Sequence, residues 1–247
     1  MSFSCPSLSV VIPVYNERVA LFPFLEKLSL ILQSHWEGDY EIIVLDDAST
    51  DGTGPLLENL LIPRLKVISL PENLGSGHAR RVGSLQAQGE LVAWIDGDDT
   101  YEPEDLIKLA REAVKWDQTI GYRSLDFGCL SGLRLAVKKS ICIVCSLLWA
   151  VKIPDLNCGL RVFKRQSLSH FIEQLPNGFS CVSTATLSAL NAGQSVQFIP
   201  IHYKSRPSGS HSKFKPIRDT GKLLRVVGRL AFDRYFGGKI CPDTNGA

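Results

Sequence analysis

Four short apolar runs recur in the first hundred residues, and each stops in a polar or glycine-rich stretch. They are "LSVVIPVYNE" (8–17), "YEIIVLDDAST" (40–50), "LKVISL" (65–70) and "ELVAWI" (90–95). Runs of this length with turn signals at their ends read as buried strands. Between them the spacing is helical, through Leu21, Leu25, Leu28 and Leu32, then Leu56, Leu57, Leu60 and Leu61. "ENLGSGHARRVGSLQAQGE" (72–90) is a glycine-rich loop opening a third helix. Strand and helix alternate, which predicts an α/β fold with a mostly parallel central sheet and helices on both faces. A chain of 247 residues, 45% apolar, suits one large domain with a real core. In such sheets ligands bind at the carboxyl ends of the strands. Here those ends carry "PVYNE", "DDAST", "PENLGSG" and "DGDD", all expected on one edge.

The fourth end constrains function most. "LVAWIDGDDTYEPED" (91–105) runs five apolar residues into Asp96, Gly97, Asp98 and Asp99. Crowded carboxylates repel by a few kcal/mol per pair at an effective dielectric near 20. A divalent cation with oxygen ligands, Mg²⁺ or Mn²⁺ shared with substrate phosphates, would offset that repulsion. Asp96 and Asp98, two apart, point to one side if the segment is extended. Gly97 lets a substrate approach the backbone. A helix start offers another reading, since Pro103, Glu104 and Asp105 suit a first turn, but it leaves Asp96 unexplained.

Charge is split along the chain. Residues 1–121 carry 9 Lys/Arg against 19 Asp/Glu, and residues 122–247 carry 18 against 6. The division suits a cation handled in one half and anions in the other, although scattered solvated charge would also produce it. Seven cysteines without zinc spacing read as reduced, structural thiols, hence a cytoplasmic chain. The N-terminus lacks a signal-peptide pattern. The longest apolar run, Ile141 to Val151, is too short for a bilayer span.

Taken together, "VVIPVYNE", "EIIVLDDASTDGT", "NLGSGHARRVG" and "DGDDTYEPED" resemble the inverting GT-A-fold glycosyltransferases that use nucleotide-diphosphate sugars. The resemblance implies a single Rossmann-like GT-A domain. It implies that Pro13, Tyr15, Glu17 and Val44 line the nucleotide pocket, with Asp46 or Asp47 bonding the base or ribose. Asp96, Gly97 and Asp98 would meet the sugar diphosphate, Asp96 and Asp98 as ligands to Mg²⁺ or Mn²⁺. Tyr15 also suits plain packing. Arg80 and Arg81 either reach the diphosphate or lie on a solvated helix face.

The second half adds Gly-x-Arg at 121–123, a basic apolar helix, and "DLNCGLRVFKR" (155–165). This order is similar to the polyprenyl-phosphate sugar transferases of the dolichyl-phosphate mannose synthase type. "YKSRPSGSHSKF" (203–214) resembles their donor-covering loop and brings in Arg206 and Lys213. The implied division is 1–120 for the nucleotide sugar, 121–214 for the acceptor, and 215–247 for a basic amphipathic helix and tail. Asp98, Arg123 and Arg206 would be catalytic, with Arg123, Arg206 and Lys213 also holding the donor. Arg134, Lys138 and Ser140 would meet the acceptor.

The chemistry agrees. A phosphate monoester has a second pKa near 6, so the acceptor is mostly dianionic at neutral pH and needs no general base. It needs cations for positioning, and Arg123, Arg134, Lys138, Lys139, Arg161 and Arg206 are candidates. Leu135–Val151 suits a core helix or a helix beside a lipid tail at a membrane surface. In "KPIRDTGKLLRVVGRLAFDRYF", Arg218, Lys222, Arg225 and Arg229 share a face, while Leu223, Val226, Val227, Leu230 and Ala231 lie broadly opposite. That pattern suits either an anionic membrane or a helix docked on the sheet.

Some features depart from the family. Thr100 stands where a glutamine is frequent near the metal. The acceptor serine has no clean match, leaving Lys138 or Ser140. No transmembrane helix follows the domain, so the expectation is peripheral attachment at the inner face of a membrane, or attachment through a membrane partner protein. Nucleic acid is not an expected partner. Two rivals remain: a hydroxyl acceptor on a glycan or lipid, with Asp155 as base, and a non-catalytic relative that binds nucleotide or membrane.

Overall fold

The computed structural model describes residues 5–123, 132–205 and 216–237. The strands are β1 (Leu8–Val14), β2 (Tyr40–Asp46), β3 (Leu65–Ser69), β4 (Leu91–Trp94), β5 (Gln118–Arg123), β6 (Arg161–Lys164) and β7 (Val196–Ile201). The helices are α1 (Leu21–His35), α2 (Thr53–Glu58), α3 (Ser76–Gln86), α4 (Pro103–Glu112), α5 (Gly132–Trp149), α6 (Arg165–Ser169), α7 (Cys181–Asn191) and α8 (Pro216–Phe236). The strands form one sheet in the order β3-β2-β1-β4-β6-β5-β7. Only β6 opposes its neighbours, running antiparallel to β4 and β5.

Alternation along the strands builds two cores. Val10 and Ile12 of β1 and Ile42 and Val44 of β2 face α1 and α4. Val11, Ile43 and Leu45 face α3 and α7 on the other side. Both faces of these strands are covered, which is why they read as unbroken apolar runs. The parallel pairing puts the carboxyl ends of β1 to β4 on one edge, as expected. The β1–β4 ladder stops at Val11↔Trp94, whereas β1–β2 continues to Val14↔Asp46. Pro13, which has no N–H to give, therefore lies beyond the β4 pairing.

A third cluster lies against the β7 edge of the sheet. Cys142, Cys145 and Trp149 of α5 pack with Leu187 and Leu190 of α7 and with Leu223 and Val227 of α8. The Leu223, Val227, Leu230 and Ala231 side of α8 thus packs against protein, which leaves its basic face outward. No helix among the described residues is long and apolar enough to cross a membrane.

Candidate active site

The edge formed by the strand ends is knitted together by the protein's own hydrogen bonds. Asn16 occupies the left-handed region (φ 53°), where Asn is tolerated. Its N–H donates to Ser49 Oγ at 2.9 Å, and its side-chain oxygen accepts from the Thr50 N–H at 2.8 Å. The Glu17 N–H donates to Thr53 Oγ1 and the Arg18 N–H to Asp51 Oδ2, each at 3.2 Å. The segments after β1 and β2 therefore form one rim, with Tyr15 half-buried and Glu17 buried in it.

Asp46 and Asp47 serve different ends. Asp46 Oδ1 accepts the Ser49 N–H at 3.1 Å, which shapes the β2 exit. Both oxygens of Asp47 accept from backbone, Leu74 N–H at 3.0 Å and Gly75 N–H at 2.8 Å. Asp47 thereby fixes the glycine-rich loop. Pro13 is buried in β1, beside the rim. Val44 is wholly enclosed in the core on the side of α1 and α4.

The glycine-rich loop docks on protein. The N–H groups of Gly77 and His78 both donate to the Asn177 carbonyl, at 2.6 and 3.1 Å. A Cβ on Gly77 would collide with the Pro176 carbonyl and the Asn177 backbone. Gly77→Ala is expected to destabilise the fold by about 1–3 kcal/mol, the usual range for overpacking. Thermal melts beside Gly178→Ala, where a Cβ meets nothing within 4 Å, check it. Arg81 donates to Leu175 O and Asn177 Oδ1, at 2.9 and 3.0 Å, which makes it a tie between segments.

At the fourth end the chain leaves β4 at Trp94 and bends through 97–99, with Asp99 at φ 57°. The segment is not extended, so the simple two-residue alternation expected for Asp96 and Asp98 does not apply. Their surroundings differ accordingly. Asp96 is 31% exposed and ion-paired through Oδ1 with the buried Arg80. Asp98 is buried and accepts from Thr100 N–H (3.2 Å) and Thr100 Oγ1–H (2.6 Å). Thr100, the departure from the family pattern, thus orients Asp98. Packing also favours glycine at 97, since a Cβ there would press Leu21, Ile12 and Val14 at 3.0–3.2 Å. Helix α4 starts from Glu102, with Pro103 in its first turn, so Asp96, Asp98 and Asp99 do not cap it.

The segment 155–161 joins this acidic bend to a cationic cluster and accounts for the spacing Asp-x-x-x-Gly-x-Arg. Asp155 is fully buried. It receives Arg123 Nε at 2.8 Å, Arg123 Nη2 at 3.2 Å, Lys138 Nζ at 3.1 Å and the Asn157 N–H at 3.1 Å. Burial would raise its pKa, but the charges and hydrogen bonds of Arg123 and Lys138 win and hold it at about 2. Gly159 abuts Asp96 so closely that a Cβ would strike Oδ2. Its N–H donates to Tyr101 Oη at 2.9 Å. Arg161 lies in the core, where it bonds the carbonyls of Cys158 (3.2 Å) and Val182 (2.6 Å) and Thr186 Oγ1 (3.0 Å). Burial pulls it down to about 10. It is a structural anchor and no candidate for phosphate.

Sequence reasoning missed Tyr101, Tyr203 and Glu102. Tyr203 bridges to Tyr101, with the rings 5.2 Å apart. Arg123 lies over the Tyr203 ring at 5.0 Å, within cation–π range. Lys204 N–H donates to Thr100 O at 2.9 Å. Glu102 is ion-paired with Lys27 and Lys204. Burial opposes its ionisation, but those lysines keep its pKa below the usual carboxylate range. Residues 203–205 are therefore fastened beside Thr100 and Glu102, next to Asp98. Only the shared spacing of tyrosine and charge after "DGDD" and before "RPSGS" hinted at this.

Of the other expected residues, Lys138 joins Arg123, while Lys139 and Ser140 are exposed on α5. Arg206, Lys213 and the Arg134 side chain lie outside the described residues. Among the described residues no group of three or more His, Cys, Asp or Glu side chains is placed to hold a metal. Asp96 and Asp98 supply hard oxygen donors on one bend. That donor set fits a divalent cation whose other ligands come from phosphate and water.

Comparisons with known proteins identify the family and the fold. The family model "Glycosyl transferase family 2" matches residues 9–171. A polyprenol monophosphomannose synthase of Mycolicibacterium smegmatis is 30% identical over 81% of this chain and 78% of its own length. A dolichyl-phosphate beta-glucosyltransferase of Trichomonas vaginalis is 27% identical over 79% of this chain, and the match spans 65% of that relative. Glucosyl-3-phosphoglycerate synthase from Mycobacterium tuberculosis, crystallised with Mn²⁺, uridine diphosphate and glucosyl-3-phosphoglycerate, has a TM-score of 0.68. It is 17% identical, over 93% of this chain and 80% of that one. The fold is GT-A-like, with a mostly parallel seven-stranded sheet flanked by helices. A family match over more than half its length means that the chain belongs to glycosyl transferase family 2.

Proposed function

We propose that this chain transfers a sugar, with inversion, from a nucleoside-diphosphate sugar to a polyprenyl phosphate. One observation carries the reading: the Asp96–Asp98 bend is linked through Gly159 to two cations, Arg123 and Lys138, that share a single buried carboxylate. Two positive charges against one negative leave a net positive charge beside the carboxylate bend, suited to a phosphate nucleophile. The names of the relatives point the same way, since several are transferases acting on polyprenyl phosphates.

The rim of residues 13–17 and 46–53 would receive the nucleotide. Asp96 and Asp98 would hold Mg²⁺ or Mn²⁺, which when bound neutralises charge on the leaving diphosphate. Arg80 orients Asp96, and Thr100 orients Asp98. Arg123 and Lys138 orient the acceptor phosphate for in-line attack by its oxygen on the anomeric carbon. Arg206 and Lys213 would close on the donor, and Arg134 and Ser140 would extend the acceptor side. The acceptor is already dianionic, so no side chain needs to remove a proton. A hydroxyl acceptor would need a base, and Asp155 at about 2, with both oxygens engaged, is a poor one.

Nucleoside-diphosphate release by the protein, across donors, with Mn²⁺ or Mg²⁺ and with or without polyprenyl phosphate, tests the reading. Release that depends on both metal and lipid phosphate is expected. Release indifferent to the lipid would replace the acceptor assignment.

A further inference from the structure

Leu223, Val227, Leu230 and Ala231 of α8 are spent on the third cluster, so they cannot also face lipid. Another surface is left. On α5 the inner side holds Cys142, Cys145 and Trp149 in that cluster, whereas Ile143 (60% exposed), Val144 and Leu147 (77%) point outward. On α8 the last two turns expose Phe232, Tyr235 and Phe236 (75%), with the Phe232 and Phe236 rings stacked 5.0 Å apart. The Tyr235 hydroxyl donates to the Leu148 carbonyl at 2.6 Å, which sets the end of α8 beside Leu147. Basic groups flank these residues on both helices: Lys139 and Lys152 near α5, and Lys222 and Arg225 on α8 are exposed.

We infer that the outer face of α5 and the C-terminal turns of α8 form one docking surface for an anionic lipid bilayer. Large apolar side chains clustered in water mark an interaction site. Aromatic residues beside lysine and arginine match the boundary between acyl chains and anionic headgroups. Each basic side chain near such a surface contributes about 1 kcal/mol. A second copy of this chain would bring the same positive flank against itself, whereas an anionic membrane complements it. Placement supports the inference too. Lys138, on the inner side of α5, contacts Asp155 in the site, while Ile143 and Leu147 lie on the outer side of the same helix. This rests on the lipid-acceptor reading for its purpose, but not for its test.

The test is flotation of the full chain with vesicles of phosphatidylcholine alone or with 30 mol% phosphatidylserine (about a third anionic, to set an appreciable surface potential). Binding is expected only with the anionic lipid, and is expected to fall at least tenfold in Leu147→Asp/Phe236→Asp. Lys222→Glu/Arg225→Glu should lower binding to the phosphatidylserine vesicles to the level seen with phosphatidylcholine alone, while leaving the apolar side chains in place. Nucleoside-diphosphate release with a short, water-soluble polyprenyl phosphate should be unchanged in both variants. Far-UV circular dichroism and thermal melts matching the parent separate lost docking from lost folding. Equal binding by parent and variants would overturn the surface, as would no binding at all. A lipid-independent dimer abolished by Leu147→Asp would assign the face to a second copy instead. Vesicle binding with no turnover on any acceptor would retain the surface and reject the proposed reaction.

Discussion

Asp98→Asn should lower metal-dependent nucleoside-diphosphate release by at least ~10²-fold, the scale seen when one preorganised electrostatic partner of a transition state is removed. Asp98 is buried, and its Oδ1 accepts twice from Thr100. The amide oxygen of the replacement can keep those two bonds, so the bend should persist while the charge is lost. The effect should then appear in chemistry and metal affinity, not in folding. Mn²⁺ present at a hundred times its dissociation constant would stabilise the parent by about 2.7 kcal/mol. That metal-induced rise in melting temperature should shrink in the variant, while the metal-free melting temperature stays near the parent's. Full metal-dependent turnover by Asp98→Asn would sink the assignment of this carboxylate.

The sequence carried the fold well because the relevant signals were local. Apolar runs such as "VVIPV" and "EIIVL" place β1 and β2, and the polar residues after them mark the edge of the sheet. The reversed direction of β6 was not readable, because "RVF" looks the same in either direction and its pairing with β4 and β5 is long-range. The carboxylates were legible as a group, but their separate tasks were not. Asp47 spends both oxygens on the backbone of the loop at Leu74 and Gly75, and Arg80 is buried against Asp96. These pairings join residues sixteen or more positions apart, and nothing in local spacing specifies them. Gly97 and Gly77 illustrate the same limit. Gly97 reads as room for a ligand and Gly77 only as part of a glycine-rich loop, yet each also has close neighbours, Ile12 and Leu21 for one and the Pro176–Asn177 backbone for the other.

Asp155→Asn is expected to cost about 3 kcal/mol of stability, because removing one partner of a buried ion pair strands the other. Here it leaves Arg123 and Lys138 facing each other without their shared carboxylate. The pH dependence follows from the lowered pKa. The carboxyl ionises at about 2 in the folded chain, against 3.8 as its ordinary value. Its contribution, roughly 2 kcal/mol from that shift, is fully present above pH 4 and is lost as pH falls through 2. Urea midpoints between pH 2 and 5 should therefore converge for parent and variant at the acid end and diverge above pH 4. Kinetics then separate positioning from proton transfer. If Asp155 positions the two cations, the variant should show a raised KM for polyprenyl phosphate and a pH–rate profile still governed by the acceptor's own ionisation near 6. A base would behave otherwise: kcat would collapse with KM unchanged, and an acid limb near the carboxyl pKa would vanish from the profile. That second pattern would return the chain to a hydroxyl acceptor. The first would leave Asp155 as the residue that holds Arg123 and Lys138 where an incoming phosphate meets them.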